Sequence, residues 1–218
     1  GDNWTSAGMA GIDSRSICSM QDSILFVGTQ GSGIYKSIDE GQNWTAVSTG
    51  IVSTNFRAIQ AEGNTVFAGG QTGTGVYRSI DYGATWTLLT SGIASSSYRG
   101  FASNNNLIVA GSFTDGVFYS LDNGDNWTQI NQGLLDLNVF DLELNNNYII
   151  AGTHSQGVFR FPLSELSTTG INNFEQNENR ELTRIVDILG RETLPKKNQV
   201  LFYIYDDGLV IKKQLLNK

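Results

Sequence analysis

The chain has 218 residues, with 25 Gly, only 2 Pro and 16% charged residues, a balance that favours short strands and tight turns over long surface helices. Its formal charge of −7 lies in residues 1–163, where 6 Lys and Arg face 13 Asp and Glu; residues 164–218 carry 8 of each. That acidic main part speaks against nonspecific nucleic-acid binding, which needs a basic surface, and no apolar run approaches the ~18 residues that span a bilayer.

From its first residues the chain is periodic. Gly1-Asp2-Asn3-Trp4 is the tail of an eight-residue frame, Ser-x-Asp-x-Gly-x-x-Trp, that recurs in full from Ser37 to Trp44, Ser79 to Trp86 and Ser120 to Trp127. The four tryptophans stand 40, 42 and 41 residues apart and are the only ones in the protein. A start inside a repeat, with no signal peptide, is expected of a processed or truncated piece of a longer precursor. Cys18 is the only cysteine, so no intrachain disulfide can form; in its alternating apolar segment it reads as a core residue, not a nucleophile.

Each period holds four β-like stretches. In the second they are Phe56-Arg57-Ala58-Ile59-Gln60-Ala61, Thr65-Val66-Phe67-Ala68-Gly69, Gly75-Val76-Tyr77-Arg78-Ser79 and Trp86-Thr87-Leu88-Leu89. Gly28, Gly69, Gly111 and Gly152 keep one phase; Gly8, Gly50, Gly92 and Gly133 keep another. Four strands per ~40 residues is the blade of a β-propeller. The expected fold is therefore all-β, a propeller of about four four-stranded blades or part of a larger one, followed by a small β-sandwich-like module. The last period supplies only three strands before Pro162, and Asp2-Asn3-Trp4-Thr5 has the character of the missing fourth. Pairing the two would close the ring and protect its sheet edges. The expected organisation is a propeller over residues 1–163, a linker over 164–179 and a C-terminal module over 180–218.

The frame resembles the Asp-box, or BNR repeat, of sialidase-type propellers, sortilin-type receptors, xyloglucanases and photosystem II assembly-factor-like proteins. The resemblance covers about three quarters of the chain and implies a structural turn between the third and fourth strands of each blade. Asp39, Gly41 and Trp44, then Asp81, Gly83 and Trp86, then Asp122, Gly124 and Trp127 would form it. A Ser and an Asp two residues on can bond turn amides, the Gly can take φ > 0, and the Trp ring buries roughly 150–250 Å². Loss of Asp81 is expected to cost about 1–3 kcal/mol.

No catalytic constellation stands out. Phe159-Arg160-Phe161-Pro162 is similar to the aromatic-Arg-Ile-Pro motif of sialidases, but Arg160 shares the phase of Lys36, Arg78 and Tyr119 and follows the frames where the sialidase motif precedes them. No pair among Asp13, Asp115, Asp136, Asp141 and Glu143 is singled out as glycosidase carboxylates. His154, the single histidine, has no Cys or His partner, so neither a metal nor another cofactor is expected.

A different recurrence points to binding. Arg15, Arg57 and Arg99 share one phase at the start of the first strand, and Phe140 takes that place in the fourth period. First strands line a propeller's channel, so these arginines would converge at one mouth. Gln30, Gln71, Phe113 and His154, in the loops after the second strands, belong to the same face. The set can hold a carboxylate, a glycan or an acidic protein segment; alternatively each Arg pairs with a neighbouring blade.

After Leu163 the repeat landmarks end and residues 164–179 are polar. Leu182-Thr183-Arg184-Ile185-Val186-Asp187-Ile188-Leu189, Val200-Leu201-Phe202-Tyr203-Ile204-Tyr205 and Leu209-Val210-Ile211-Lys212-Lys213-Gln214-Leu215-Leu216 are strand-like, with Asp206-Asp207-Gly208 a hairpin signal between the last two. These blocks resemble the C-terminal sorting domain of the type IX secretion system of Bacteroidetes, although its usual opening strand is missing. The resemblance implies export across the outer membrane, with Gly190, Arg191, Asp207, Gly208, Lys212 and Lys213 read by the secretion machinery. The expectation is a secreted or surface-attached binding module without activity of its own; the alternative is a fragment of a glycan-active hydrolase whose catalytic residues lie elsewhere.

Overall fold

A computed structural model of the chain describes residues 3–21, 23–71, 73–94, 96–104, 106–166, 182–187, 191–194, 200–205 and 210–214. They fall into two compact units, Gly1–Leu166 and Ser167–Lys218. Among the described residues, no helix is long and apolar enough to cross a membrane.

The first unit is a series of antiparallel sheets in sequence order. β1 (Ser14–Met20), β2 (Ile24–Thr29), β3 (Ile34–Ser37) and β4 (Thr45–Ala46) form one sheet. β5 (Phe56–Glu62), β6 (Thr65–Gly70), β7 (Val76–Ser79) and β8 (Thr87–Leu89) form the next. β9 (Tyr98–Asn104), β10 (Leu107–Ser112), β11 (Gly116–Ser120) and β12 (Thr128–Gln129) form the third. The fourth has three strands, β13 (Val139–Leu144), β14 (Tyr148–Thr153) and β15 (Val158–Pro162), followed by a 3-10 turn at Leu163–Glu165. Strands are consecutive neighbours in each sheet, so every connection is a hairpin and the period needs no crossover.

The first strands pack side by side, β1 on β5, β5 on β9 and β9 on β13. Apolar faces meet between sheets. One cluster joins Phe26 and Ile34 of the first sheet to Phe56, Tyr77 and Trp86 of the second, and another joins Phe67 and Val76 to Tyr98, Phe118 and Trp127. A third joins Val109 and Tyr119 to Leu142, Ile149 and Ala151. β6 is buried along its whole length because sheets cover both its faces, which explains its unbroken apolar run. The end sheets differ: Ile17 on β1 and Val158 on β15 are exposed.

The expected pairing of the two termini is not seen. Asn3–Thr5 form no strand, Trp4 lies wholly in solvent, and β13 makes no packing with β1 comparable to that between adjacent first strands among the described residues. The physical reason is the placement of the sheets: among the described residues β13 does not pack on β1 as neighbouring first strands do, so the two ends of the series are not brought together. Ala7 stays on the first sheet, where its carbonyl accepts the Trp44 indole N–H at 2.7 Å. Cys18 is half-buried against the first core cluster, and burial pushes its thiol up to about 12, so it stays protonated.

In the second unit, β16 (Leu182–Val186), β17 (Val200–Tyr205) and β18 (Val210–Gln214) form one antiparallel sheet in that order. Asp187 accepts hydrogen bonds from the backbone N–H and Nε of Arg191 at 3.0 and 2.8 Å, beside the Val186–Glu192 bridge. Lys212 and Lys213 sit on β18 opposite Phe202 and Leu201, whereas Gly190, Asp207 and Gly208 lie outside the described residues.

Candidate functional site: a bulged mouth with two free arginines

The three four-stranded sheets of the first unit carry a repeated device at each end, and the three-stranded sheet shares one of the two. At the end between third and fourth strands lies the Ser-x-Asp-x-Gly-x-x-Trp frame. The Ser hydroxyl accepts from the Gly amide at 2.9, 2.8 and 2.8 Å in the three copies and donates to the Asp carboxylate at 2.8, 2.7 and 2.7 Å. That carboxylate then accepts both the amide and the side chain of Asn43, Thr85 or Asn126. Two consecutive residues take positive φ, 58° and 81° at Tyr82 and Gly83, and a Cβ on Gly83 would run into the Phe26 ring of the preceding sheet. The indoles of Trp44 and Trp127 donate to the Gly41 and Gly124 carbonyls, whereas the buried Trp86 Nε1 has no partner. Thr85 and Ser79 hold the Asp81 carboxyl down to about 2. At Asp122 burial opposes the same effect, and the Asn126 and Ser120 hydrogen bonds outweigh it. Apart from the Trp86 indole, these groups are occupied with one another.

At the opposite end each first strand opens with a β-bulge. The register jumps between Ser14 and Ser16, Phe56 and Ala58, Tyr98 and Gly100, and Val139 and Asp141. The residues left unpaired are Arg15, Arg57, Arg99 and Phe140, the four that share a phase in the sequence. A bulge re-aims its extra side chain out of the strand's alternation. Beside each bulge one hydrogen bond recurs: the N–H groups of Gln30, Gln71, Phe113 and His154 donate to the carbonyls of Asp13, Asn55, Ser97 and Asn138 at 2.8, 3.0, 2.8 and 2.9 Å. The backbone thus brings each loop residue to the bulged residue of its own sheet.

The side chains then diverge. Arg15, on the first sheet, is closed off by Asp13, 2.6 Å from its guanidinium, and lines a separate cleft with Trp44. Arg57 and Arg99 have no ion pair among the described residues, and the Nε of each is buried without a hydrogen-bond partner. Burial, and then the charge of nearby Arg57, lower the Arg99 pKa. Two cations therefore lie close together without a counterion among the described side chains.

Arg99 is fixed by aromatic rings. Its guanidinium carbon lies 3.8 Å from the Phe113 ring centroid and 4.5 Å from that of Phe140. His154 stacks on Phe140 with centroids 5.5 Å apart and planes at 22°. Beside Arg99 opens a cleft of about 610 Å³ lined also by Gln71, Ser96, Phe113 and Asp115. Asp115 is engaged by the hydroxyls of Ser96, Thr114 and Ser112, which hold its carboxyl below the usual range despite partial burial. The cleft is thus lined by a guanidinium that has no ion pair among the described residues, by hydroxyls and by the Phe113 ring. That arrangement can take a carboxylate joined to a flat or apolar body.

Sequence reasoning left Asp136 without a role. It is buried and accepts the Asn138 amide, the Ser155 amide at 2.7 Å and the Ser155 hydroxyl at 2.8 Å, which pin the loop carrying His154. Those bonds hold its carboxyl well below the usual range. The Asp-x-Asn spacing before the strand was its one visible signal, that of a side chain capping its own turn. Arg160 lies away from this mouth, its guanidinium 4.7 Å from the Tyr148 ring, on the variable third-strand position. Among the described residues no cluster of three or more His, Cys, Asp and Glu is arranged to hold a metal.

Comparison with solved structures places this architecture among the β-propellers. The chain is similar to the computationally designed Ika4 protein, with a TM-score of 0.58 and 16% identity over 74% of this chain and 98% of that one. It is similar to an ancestral GH74 enzyme (TM-score 0.58, 17% identity, 94% of this chain and 31% of that one) and to YCF48 bound to D1 peptide (TM-score 0.56, 13% identity, 91% and 64%). The chain spans about a third of that GH74 enzyme and just under two thirds of that YCF48. No protein-family model and no curated protein sequence matches it. Identities of this size carry the fold and no more.

Proposed function

We propose that the first unit is a binding module whose receptor surface is the bulged mouth at Arg57, Arg99, Phe113, Phe140 and His154. Its ligand is a carboxylate-bearing group of an acidic glycan or of a protein segment. The observation that carries this reading is the pair of neighbouring guanidiniums whose Nε atoms are buried and unpartnered. Neither guanidinium has an ion pair among the described residues, and a ligand carboxylate would supply that counterion. Gln71 and the exposed Thr114 hydroxyl, which also line the cleft, supply neutral contacts. The Arg15 and Gln30 end of the phase contributes less, because Asp13 already neutralises Arg15.

Titration calorimetry against an oligogalacturonate, a sialyl-oligosaccharide and a Glu-rich peptide tests this. At least one should bind, and Arg57→Ala with Arg99→Ala should weaken it at least tenfold while the circular dichroism stays unchanged. Carboxylate ligands binding equally well to the folded double variant sink the reading.

The three frames read as Asp-box turns, and the second unit reads as a type IX sorting domain that delivers the module to the cell surface of a member of the Bacteroidetes. The motif residues Val186-Asp187 and Lys212-Lys213 support that export route. A reporter fused to Asn172–Lys218 should leave a type IX-competent cell; its retention in the periplasm counts against sorting. A second reading, a fragment of a glycan-active hydrolase, is favoured by one fact alone: the chain spans only 31% of the GH74 enzyme it resembles. Glycan hydrolysis by this chain alone is not expected.

A further inference from the structure

We infer, resting on the reading of the mouth as a carboxylate receptor, that its ligand is a zwitterion whose carboxylate meets Arg99 and whose ammonium group meets Asp115. Both residues line the same cleft of about 610 Å³. Neither has an ion pair among the described residues, although each could neutralise the other. Both are held where they are. The Arg99 guanidinium lies against the Phe113 and Phe140 rings, 3.8 and 4.5 Å from their centroids. Asp115 is tied to its own loop, where Oδ2 accepts the Thr114 hydroxyl at 2.8 Å and the Ser112 hydroxyl at 3.2 Å. The Ser112 hydroxyl in turn accepts the Thr114 and Asp115 amides at 3.1 and 3.0 Å. Asp115 Oδ1 takes neither of the two hydroxyls. A cleft with fixed charges of opposite sign suits a solute that carries both, and it penalises a second negative charge beside Asp115.

The period itself does not require this carboxylate. The loops after the four second strands each end on a glycine with positive φ, 79° at Gly33, 77° at Gly75, 80° at Gly116 and 82° at Gly157. The residue before that glycine is Ser32, Thr74, Asp115 and Gln156 in turn, so only the sheet that carries Arg99 has a charge there. In the first and fourth sheets the loop closes without an acid. Thr29 and Thr153 donate their hydroxyls to the Gly33 and Gly157 carbonyls at 2.8 and 2.9 Å. A neutral hydroxyl thus suffices for the turn, and the charge of Asp115 is left to serve the cleft.

The pair of charges is most readily supplied by protein side chains. Sugar amines in glycans are mostly acetylated and so neutral, whereas Glu and Lys both stay charged at neutral pH. The ligand is therefore a protein segment with an acidic residue and a lysine within a few residues of each other. Asp115 is the residue that selects it over a uniformly acidic segment.

Titration calorimetry on the full chain with capped peptides tests this. Each peptide carries one Glu and, one to four residues away, a Lys, a Gln or a second Glu. At its best spacing the Lys peptide should bind at least tenfold tighter than its Gln counterpart, and the second-Glu peptide no tighter than the Gln one. Asp115→Asn, with unchanged circular dichroism, should bring the Lys and Gln peptides within about threefold of each other. Asp115→Ser, which copies Ser32 of the first loop, gives the same comparison should the Asn variant not fold. Gln or second-Glu peptides that bind as tightly as Lys peptides overturn the inference; if Arg57→Ala with Arg99→Ala abolishes that binding, the mouth itself still stands. A Lys preference that survives the loss of Asp115 overturns it equally. So does a sialyl-oligosaccharide that binds through the arginines while no Lys peptide does, which would make the ligand a glycan. If no carboxylate ligand binds at all, the mouth falls together with the inference.

Discussion

The two ends of each four-stranded sheet in the first unit are built from the same period and solve opposite problems. At the frame end, Ser79 serves the Gly83 amide and the Asp81 carboxylate, and Asp81 serves Thr85 twice, so these polar atoms are consumed within eight residues and only the Trp86 Nε1 is left without a partner. At the bulged end, the strand starts with one residue that pairs with nothing, and in two sheets that residue is an arginine with a buried free Nε. Saturated groups add stability and have nothing left for a ligand. Unsaturated ones are a standing cost that only a partner relieves. Repetition alone does not mark a site; what marks it is repetition with unmet valence.

The comparison is broken most directly on the frame side. Trp127 is buried with its ring 6.4 Å from Phe67 in an edge-to-face contact, so Trp127→Ala should cost about 3–5 kcal/mol in urea unfolding. Trp44, the same residue of the frame, is only half-buried on the end sheet. Trp44→Ala should therefore cost about 1–2 kcal/mol under the same conditions. Equal losses at the two would mean that sheet-to-sheet packing is not what the frame tryptophan supplies.

Asp81→Ala comes next, at about 1–2 kcal/mol, since the Thr85 and Gly83 turn partly keeps its access to water. The acid limb sharpens the assignment. Asp81 is depressed to about 2 from 3.8, chiefly by the Thr85 hydroxyl and amide. A depressed carboxylate gives stability that is complete above the unfolded value and is lost as pH falls through the folded one. The stability gap between the native chain and Asp81→Asn should thus be full above about pH 4 and close toward pH 2. A gap that persists unchanged at pH 2 would mean that the charged form of Asp81 is not what the turn binds.

Much of this was legible in the residues, for reasons that also set the limit. The frame demands particular side chains at particular places, because positive φ needs Gly83 and the amides need an oxygen from Ser79 and Asp81; its three copies therefore announce the sheets and their hairpins. The phase of Arg57 and Arg99 was visible too. The bulge that re-aims them was not, since a bulge is one extra residue in a pairing and leaves no mark on composition. Nor could spacing separate Arg15, which Asp13 neutralises, from Arg57 and Arg99, because an ion pair two residues away depends on where the strand begins to bend. Closure failed for a similar reason. Asp2-Asn3-Trp4-Thr5 has the right residues for a fourth strand, but which edge it meets depends on the rotation between sheets, a sum of small twists that no single residue encodes.

The smallest effect tests the bulged end. Arg57→Met removes a half-buried cation that has no ion pair among the described residues and stands near Arg99. It keeps most of the aliphatic stem, so the packing along β5 is retained. A side chain selected for stability should lose it on such a change; one kept for a ligand should not. The expectation is a shift within about 1 kcal/mol, in the stabilising direction, by relief of the repulsion and of the unmade hydrogen bond. Urea unfolding of the single variant measures it in the absence of ligand. A loss of 2 kcal/mol or more would mean that Arg57 fastens the sheets as Asp81 does, and the contrast between the two ends would collapse into a single structural role.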